Sequence, residues 1–212
     1  MLLGLLTDIH EAITPLEEAL DRFRRLKVDR VLHLGDICAM HERLELTCRI
    51  LEQAGVRGVW GNHDFGLCRD IDEEIRQRFS PAILRYMQTL EPFLIEEDCR
   101  LSHCEPWLDP YSIEDLWYFE RLPETPAELA RSFGAVPQRV LFSGHVHRWY
   151  LANPDGKIAW DGTRPITLRG PQRYFLILNA VIEGWCATYD TSSQVFTPVQ
   201  LRARGSRPGI YH

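Results

Sequence analysis

Leu2-Leu3-Gly4-Leu5-Leu6-Thr7-Asp8-Ile9-His10 runs from an apolar stretch directly into an aspartate and a histidine. A short continuous apolar run is the pattern of a strand buried on both faces, as at the centre of a parallel sheet. The pattern recurs twice. Val31 to Leu34 leads into Gly35-Asp36, and Val56 to Trp60 leads into Gly61-Asn62-His63-Asp64. Between the first two runs, Leu16, Ala19, Leu20, Phe23 and Leu26 recur at helical spacing with charges on the opposite face. A second helix is expected over Glu42 to Gln53. This β-α-β-α-β order predicts an α/β fold with a parallel sheet and right-handed crossovers. All three polar motifs then fall at the carboxyl ends of strands, where such sheets present reactive side chains.

Further along, Ile71 to Leu90 has helical spacing interrupted by Ser80-Pro81, which can cap or kink it. Phe93 to Ile95 and Arg100 to Ser102 are expected strands leading to His103. Pro106 to Phe133 is rich in aromatic and acidic residues, with two short helices expected on either side of Pro123. Val140 to Ser143 is a strand ending at Gly144-His145-Val146-His147. Beyond it, Arg148 to Ala152, Lys157 to Trp160, Tyr174 to Asn179, Trp185 to Tyr189 and Val195 to Val199 are expected as antiparallel strands. Asn153-Pro154-Asp155-Gly156 is a hairpin turn signal. Residues 1–201 are expected to form one domain, and 202–212, polar with Gly and Pro, a loose tail.

A chain of 212 residues buries a sizeable core without staples. Its net charge of -6 argues against non-specific nucleic-acid binding, which needs a basic face. The six cysteines show no CxxC pairing, so a reduced, cytoplasmic setting is expected. The first apolar run lacks a basic flank and a cleavage site and is too short to span a bilayer, so no membrane partner is expected.

Asp8 and His10 are one residue apart, as are His145 and His147. In extended backbone each pair shares a face, and two such pairs converging from neighbouring strands can clasp one or two cations. Asp36 has the two oxygens needed to bridge metals ~4 Å apart. Asn62 offers a neutral carbonyl oxygen, and Gly35 and Gly61 leave room for sharp turns beneath. A mixed nitrogen–oxygen donor set suits manganese, iron, zinc or nickel. His33, inside the strand Val31 to Leu34, is expected to be a hydrogen-bonded structural histidine rather than a ligand. His41, on the loop beyond Asp36, is a candidate substrate contact, as are Trp107 and Tyr111. Trp117 and Phe119 are assigned to core packing. In extended chain Cys104 points away from His103.

Taken in order, Asp8-x-His10, Gly35-Asp36, Gly61-Asn62-His63-Asp64, the lone His103 and Gly144-His145-x-His147 closely resemble the calcineurin-like metallophosphoesterase family. The resemblance orders motifs from residue 8 to residue 147. It implies a four-layer α/β/β/α sandwich, two mixed β-sheets flanked by helices, with the strand-rich remainder completing the second sheet. It also implies a dinuclear centre with one metal on Asp8, His10, Asp36 and His147. The other metal falls to Asp36, Asn62, His103 and His145, with Asp36 bridging. His63 then serves catalysis by hydrogen-bonding or protonating the leaving-group oxygen, and Asp64 gives local support.

The activity implied is hydrolysis of a small organic phosphate, a phosphodiester or nucleotide foremost, by a hydroxide bridging two divalent ions, manganese foremost. Gly35-Asp36 continues as Ile37-Cys38 rather than Asp-Arg-Gly, which separates the chain from the protein serine/threonine phosphatase branch. Cys104 replaces the glycine usual after the fourth-motif histidine. A non-catalytic scaffold on the same fold is the first alternative, opposed by the presence of His63 and every ligand type. Nuclease action is the second, opposed by the acidic balance.

Overall fold

In the computed structural model, which describes residues 1–205, two six-stranded sheets face each other. The first holds β1 (Leu2–Leu6), β2 (Arg30–His33), β3 (Arg57–Gly58), β9 (Ile166–Thr167), β11 (Trp185–Asp190) and β12 (Val195–Gln200). The second holds β4 (Leu94–Glu96), β5 (Cys99–Leu101), β6 (Val140–Ser143), β7 (Tyr150–Asn153), β8 (Gly156–Lys157) and β10 (Tyr174–Ile177). Their spatial orders are β3-β2-β1-β11-β12-β9 and β4-β5-β6-β10-β7-β8. Both are mixed: β1, β2 and β3 run parallel, as do β5, β6 and β10, and antiparallel strands complete each sheet.

The alternation along β1 shows why it carries no polar side chain. Leu3 and Leu5 pack between the sheets with Leu101, Phe142, Leu176 and Phe196. Leu6 points the other way, into a cluster with Leu16, Phe23, Leu44, Leu51 and Met87. Those residues come from α1 (Ile13–Leu26), α2 (Leu44–Gln53) and, beyond the short α3 (Phe65–Cys68) and α4 (Glu73–Arg78), α5 (Pro81–Met87). Gly4 shares that face because a Cβ there would meet the Phe23 ring at 2.9 Å. After the single-turn α6 (Ile113–Leu116), α7 (Pro126–Ala135) covers the second sheet, packing Leu129 and Phe133 on Leu141, Tyr150 and Phe175. The layers are therefore α/β/β/α, each fully buried leucine contributing about 1.5–3 kcal/mol.

Several elements differ from expectation. The third strand is only Arg57–Gly58: Val59 N–H still donates to His33 of β2, but Val59 bridges Glu91 on the other side and Trp60 N–H turns to the Glu91 carbonyl. β10 runs antiparallel to β7, as expected, but parallel to β6 on its other side. Of Lys157 to Trp160 only Lys157 lies in a strand, with Ile158 N–H still donating to Leu151 of β7, and β9 lies in a stretch with no strand pattern in the sequence. The break at Ser80-Pro81 separates α4 from α5, with Ser80 capping the latter through Ile83 N–H. Residues 202–205 do not hang free: Arg202 and Ala203 donate backbone N–H groups to Glu18, and Gly205 donates to Ile182. The rest of the expected tail, 206–212, lies outside the described residues.

Candidate metal centre

Each of the five motifs leaves the carboxyl end of a parallel strand: β1, β2, β3, β5 and β6. The loops are welded by backbone bonds, with the N–H groups of Asp8, His10 and Glu11 donating to the carbonyls of Gly35, Asp36 and Ile37. The period-two argument does not describe how the paired side chains converge. Asp8, His10, Asp36, His145 and His147 all have positive φ, between +45° and +72°. The chain turns at each of them, and the left-handed conformation costs about 1–2 kcal/mol per residue, a strain that accumulates at functional sites.

The side chains sort into two nests sharing one carboxylate. In the first, His10 Nε2 lies 3.2 Å from His147 Nε2, and Asp8 Oδ1 lies 3.2 Å from the same His147 nitrogen. His10 Nδ1 is 2.9 Å from the Cys38 carbonyl, to which it donates, which leaves the Nε2 lone pair facing inward. In the second, Asn62 Oδ1 lies 2.9 Å from His103 Nε2 and 3.0 Å from His145 Nδ1. His103 Nδ1 sits 2.7 Å from the Leu34 carbonyl, the matching outer contact. Between the nests, Asp36 Oδ2 is 3.8 Å from His10 Nε2 and 3.4 Å from His103 Nε2.

This arrangement fits divalent cations. The second Asp8 oxygen, Oδ2, accepts from Thr7 Oγ1 at 2.6 Å and from His145 N–H at 3.0 Å, but Oδ1 is buried without a directed hydrogen bond. Imidazole lone pairs face one another and an amide oxygen, so the nests combine acceptors that a cation or protons must reconcile. Protons do so in the metal-free chain. Burial opposes charge on Asp8, yet the nearby His147 outweighs it and holds the carboxyl at about 2. Against the same burial penalty, Asp36 pushes His103 up to about 9 and is itself held far below the usual carboxylate range. Burial, aided by the charge of His103, pulls His145 down to about 4. The glycines make room: a Cβ on Gly61 would meet Asp36 Oδ1 at 2.1 Å, and one on Gly144 would meet Thr7 Oγ1 at 1.9 Å.

His63 stands at the mouth of the nests, edge-on to His10 at 5.1 Å. Its backbone N–H donates to Asp36 Oδ1 at 3.0 Å, which steadies the shared carboxylate. Asp64 is buried and accepts the N–H groups of Asp36, Ile37, Cys38 and Gly61, tying two motif loops together. Sequence reasoning missed Glu11, which accepts N–H groups from Ala39, His41 and Arg43 and so shapes the loop after Asp36. Its position next to His10 was the only signal. A cleft of about 450 Å³ opens beside His10, lined in part by Thr14, Met40, Arg43 and Arg204.

The three candidate substrate contacts each pack against other side chains. Trp107 packs against the helix-side core, donates its indole N–H to Glu105 and lies 5.6 Å from the Tyr118 ring, so it is satisfied away from the nests. Tyr111 rests on Trp60 with Arg69 over its ring, and His41 lies edge-on to Phe79. Trp117 and Phe119, assigned to the core, are instead exposed: Trp117 lies 5.0 Å from the His63 ring and Phe119 6.3 Å from the His145 ring. Cys104 does not point away either. The chain bends after β5 rather than continuing extended, bringing the sulfur within 4.8 Å of the ligand nitrogens of His103 and His145. Its thiol donates to the Leu116 carbonyl at 3.2 Å, and burial keeps it protonated well above its ordinary range. All six cysteines are free and buried.

A domain model of the calcineurin-like phosphoesterase superfamily matches residues 1–165. Among solved structures, a metallophosphoesterase from Sphaerobacter thermophilus is similar with a TM-score of 0.76 at 20% identity, over 96% of this chain and 89% of that one. An archaeal phosphodiesterase is similar with a TM-score of 0.56 at 14% identity, over 95% and 100% of the two chains. A candidate diadenosine tetraphosphatase gives 0.55 at 16% identity, over 94% and 93%. At these identities the likeness speaks to the fold. No curated protein matches the chain.

Proposed function

The chain belongs to the calcineurin-like phosphoesterase superfamily, and from that premise we propose that it hydrolyses a small organic phosphodiester or nucleotide with two divalent cations, manganese foremost. The observation that carries this reading is the position of Asp36 between two nests of donors. Asp8, His10, Asp36 and His147 would hold one ion, and Asp36, Asn62, His103 and His145 the other. When bound, such a pair activates a water for attack on phosphorus and offsets the charge on the phosphate oxygens.

The chain's own residues supply the rest. The outer contacts of His10 with Cys38 and of His103 with Leu34 fix ring orientation and tautomer before any ligand arrives. His63, at the mouth, donates a proton or hydrogen bond to the departing oxygen. Burial lowers its pKa despite the nearby Asp36 charge. Arg43 and Arg204 on the cleft wall can counter phosphate charge, a role that no arginine in a Gly-Asp-Arg-Gly motif fills here.

Free, buried cysteines fit a reducing cytoplasm, which is where we place the protein. Among the described residues, no helix is long and apolar enough to cross a membrane. The test is turnover of phosphomonoesters, phosphodiesters and nucleotides by chelator-stripped protein with manganese, iron, zinc or nickel restored singly. Metal-dependent turnover of bis(nitrophenyl) phosphate or a nucleotide is expected. Failure of all four metals to restore hydrolysis of any ester overturns the proposal.

A further inference from the structure

The segment leaving α6 turns its largest side chains outward. Trp117 is 54% exposed and Phe119 46%. Rings of this size cover core in most settings, so adjacent exposed aromatics are informative. Their base is not loose. Leu116 is buried, Trp117 N–H and Tyr118 N–H close the α6 turn on Ile113 and Asp115, and Cys104 donates to Leu116 from below.

The turn that ends α6 sends the rings to two destinations. Tyr118 turns back to Trp107, whereas Trp117 and Phe119 both turn to the candidate centre. Trp117 meets His63, and Phe119 meets His145 edge-on with planes at 76°. The two rings thus stand beside the nests, Trp117 at His63 and Phe119 at His145. Phosphate chemistry alone gives no reason to keep such a pair.

We propose that Trp117 and Phe119 form a subsite that stacks on a planar aromatic group, a nucleobase or aryl ring, carried on the leaving-group side of the phosphate ester. The side follows from His63, whose role at the departing oxygen is that of the proposed function on which this inference rests. As the phosphorus–oxygen bond breaks and its electron pair leaves with that oxygen, His63 supplies the proton. The group still attached to the oxygen lies against Trp117. A stacking face tolerates any base because each has a π-surface.

The test compares ligands that share a phosphate and differ in the ring. Calorimetric titration of manganese-loaded protein gives affinities for adenosine 5′-monophosphate, phenyl phosphate and ribose 5-phosphate, and needs no turnover. Wild-type protein should bind at least one aromatic ligand ~10-fold more tightly than ribose 5-phosphate, the usual size of one stacking contact. A preference for phenyl phosphate puts the ring at the ester oxygen; a preference for the nucleotide puts it a sugar's length away. Trp117→Ala and Phe119→Ala, both at exposed positions, should reduce that ratio. Tyr111→Ala, an equally exposed aromatic that rests on Trp60, should leave it unchanged. Equal affinities in wild type, or an unchanged ratio in both variants, overturns the subsite. A protein that turns over no ester with any metal defeats the hydrolytic reading, and the affinity ratio still decides the subsite.

Discussion

Asp64 accepts the backbone N–H of Asp36 at 2.7 Å, so the residue whose carboxylate lies between the two nests is anchored through its backbone by a second buried carboxylate. Asp64 also accepts from Ile37, Cys38 and Gly61, and is fully buried. Removing it leaves buried donors without partners at about 1–3 kcal/mol each. Asp64→Ala should destabilise the metal-free protein by roughly 3–5 kcal/mol in urea unfolding, near the upper end for single substitutions. Asp64→Asn should lose less, since its carbonyl oxygen can keep part of the set. Unfolding curves for both variants within about 0.5 kcal/mol of wild type would show that the four bonds are dispensable.

Metal stoichiometry should respond differently to residues in one nest and to the residue between them. Asp36 lies within 4 Å of imidazole nitrogens from both nests, whereas His10 belongs with Asp8 and His147. Asp36→Ala should therefore impair both sites, and His10→Ala mainly one. Elemental analysis after reconstitution with excess manganese, iron, zinc or nickel checks this, with two ions per wild-type chain expected. A folded wild-type preparation that never takes up more than one ion rules the two-metal reading out.

Substitution of His63 should separate binding from chemistry. Its backbone N–H contacts Asp36, but its ring stands between His10 and Trp117 at the mouth. His63→Ala keeps the backbone contact, so metal content should stay near the wild-type value while kcat falls ~10²–10⁴-fold, the usual size of general-acid assistance. The deficit should shrink for nitrophenolate leaving groups, which depart without much protonation. Loss of metal together with activity would instead place the ring in the metal cradle.

The order of the polar motifs was legible because each follows an apolar run without a gap, and a parallel strand delivers whatever follows it to one sheet edge. Seven side chains named from that order come together in two nests. Their mode of approach was not legible, because it depends on left-handed residues at Asp8, His10, Asp36, His145 and His147, and none of these is glycine. Short β3 and the parallel β10 depend on partners remote in sequence, so local pattern could not set their extent or direction. The exposure of the aromatic segment was not legible for a similar reason. Trp107 and Trp117 stand in comparable local sequence, and only tertiary contact decides that Glu105 and the helix-side core take the first and leave the second at the nests.

His33 offers a prediction independent of any metal. The ring is fully buried beneath Gly58, where a Cβ would lie 2.0 Å from its Nε2. Its Nδ1 accepts the Gly35 N–H at 3.3 Å, and Nε2 has no partner among the described residues. Burial, with the charge of His103 second, pulls its pKa down to about 3, so the folded protein holds the ring neutral. In the unfolded chain it titrates near the ordinary ~6.5. Between those values the unfolded state binds more protons, and stability must fall as pH falls. The contribution is fully present above ~6.5 and drains away toward 3, reaching a loss of about 2 kcal/mol by about pH 5. His33→Gln keeps an acceptor for Gly35 and removes the titration. Urea unfolding with chelator present, at pH 7.5 and pH 5, should show the variant losing about 2 kcal/mol less than wild type over that interval. Parallel losses in the two proteins would mean that His33 is not held neutral by the fold.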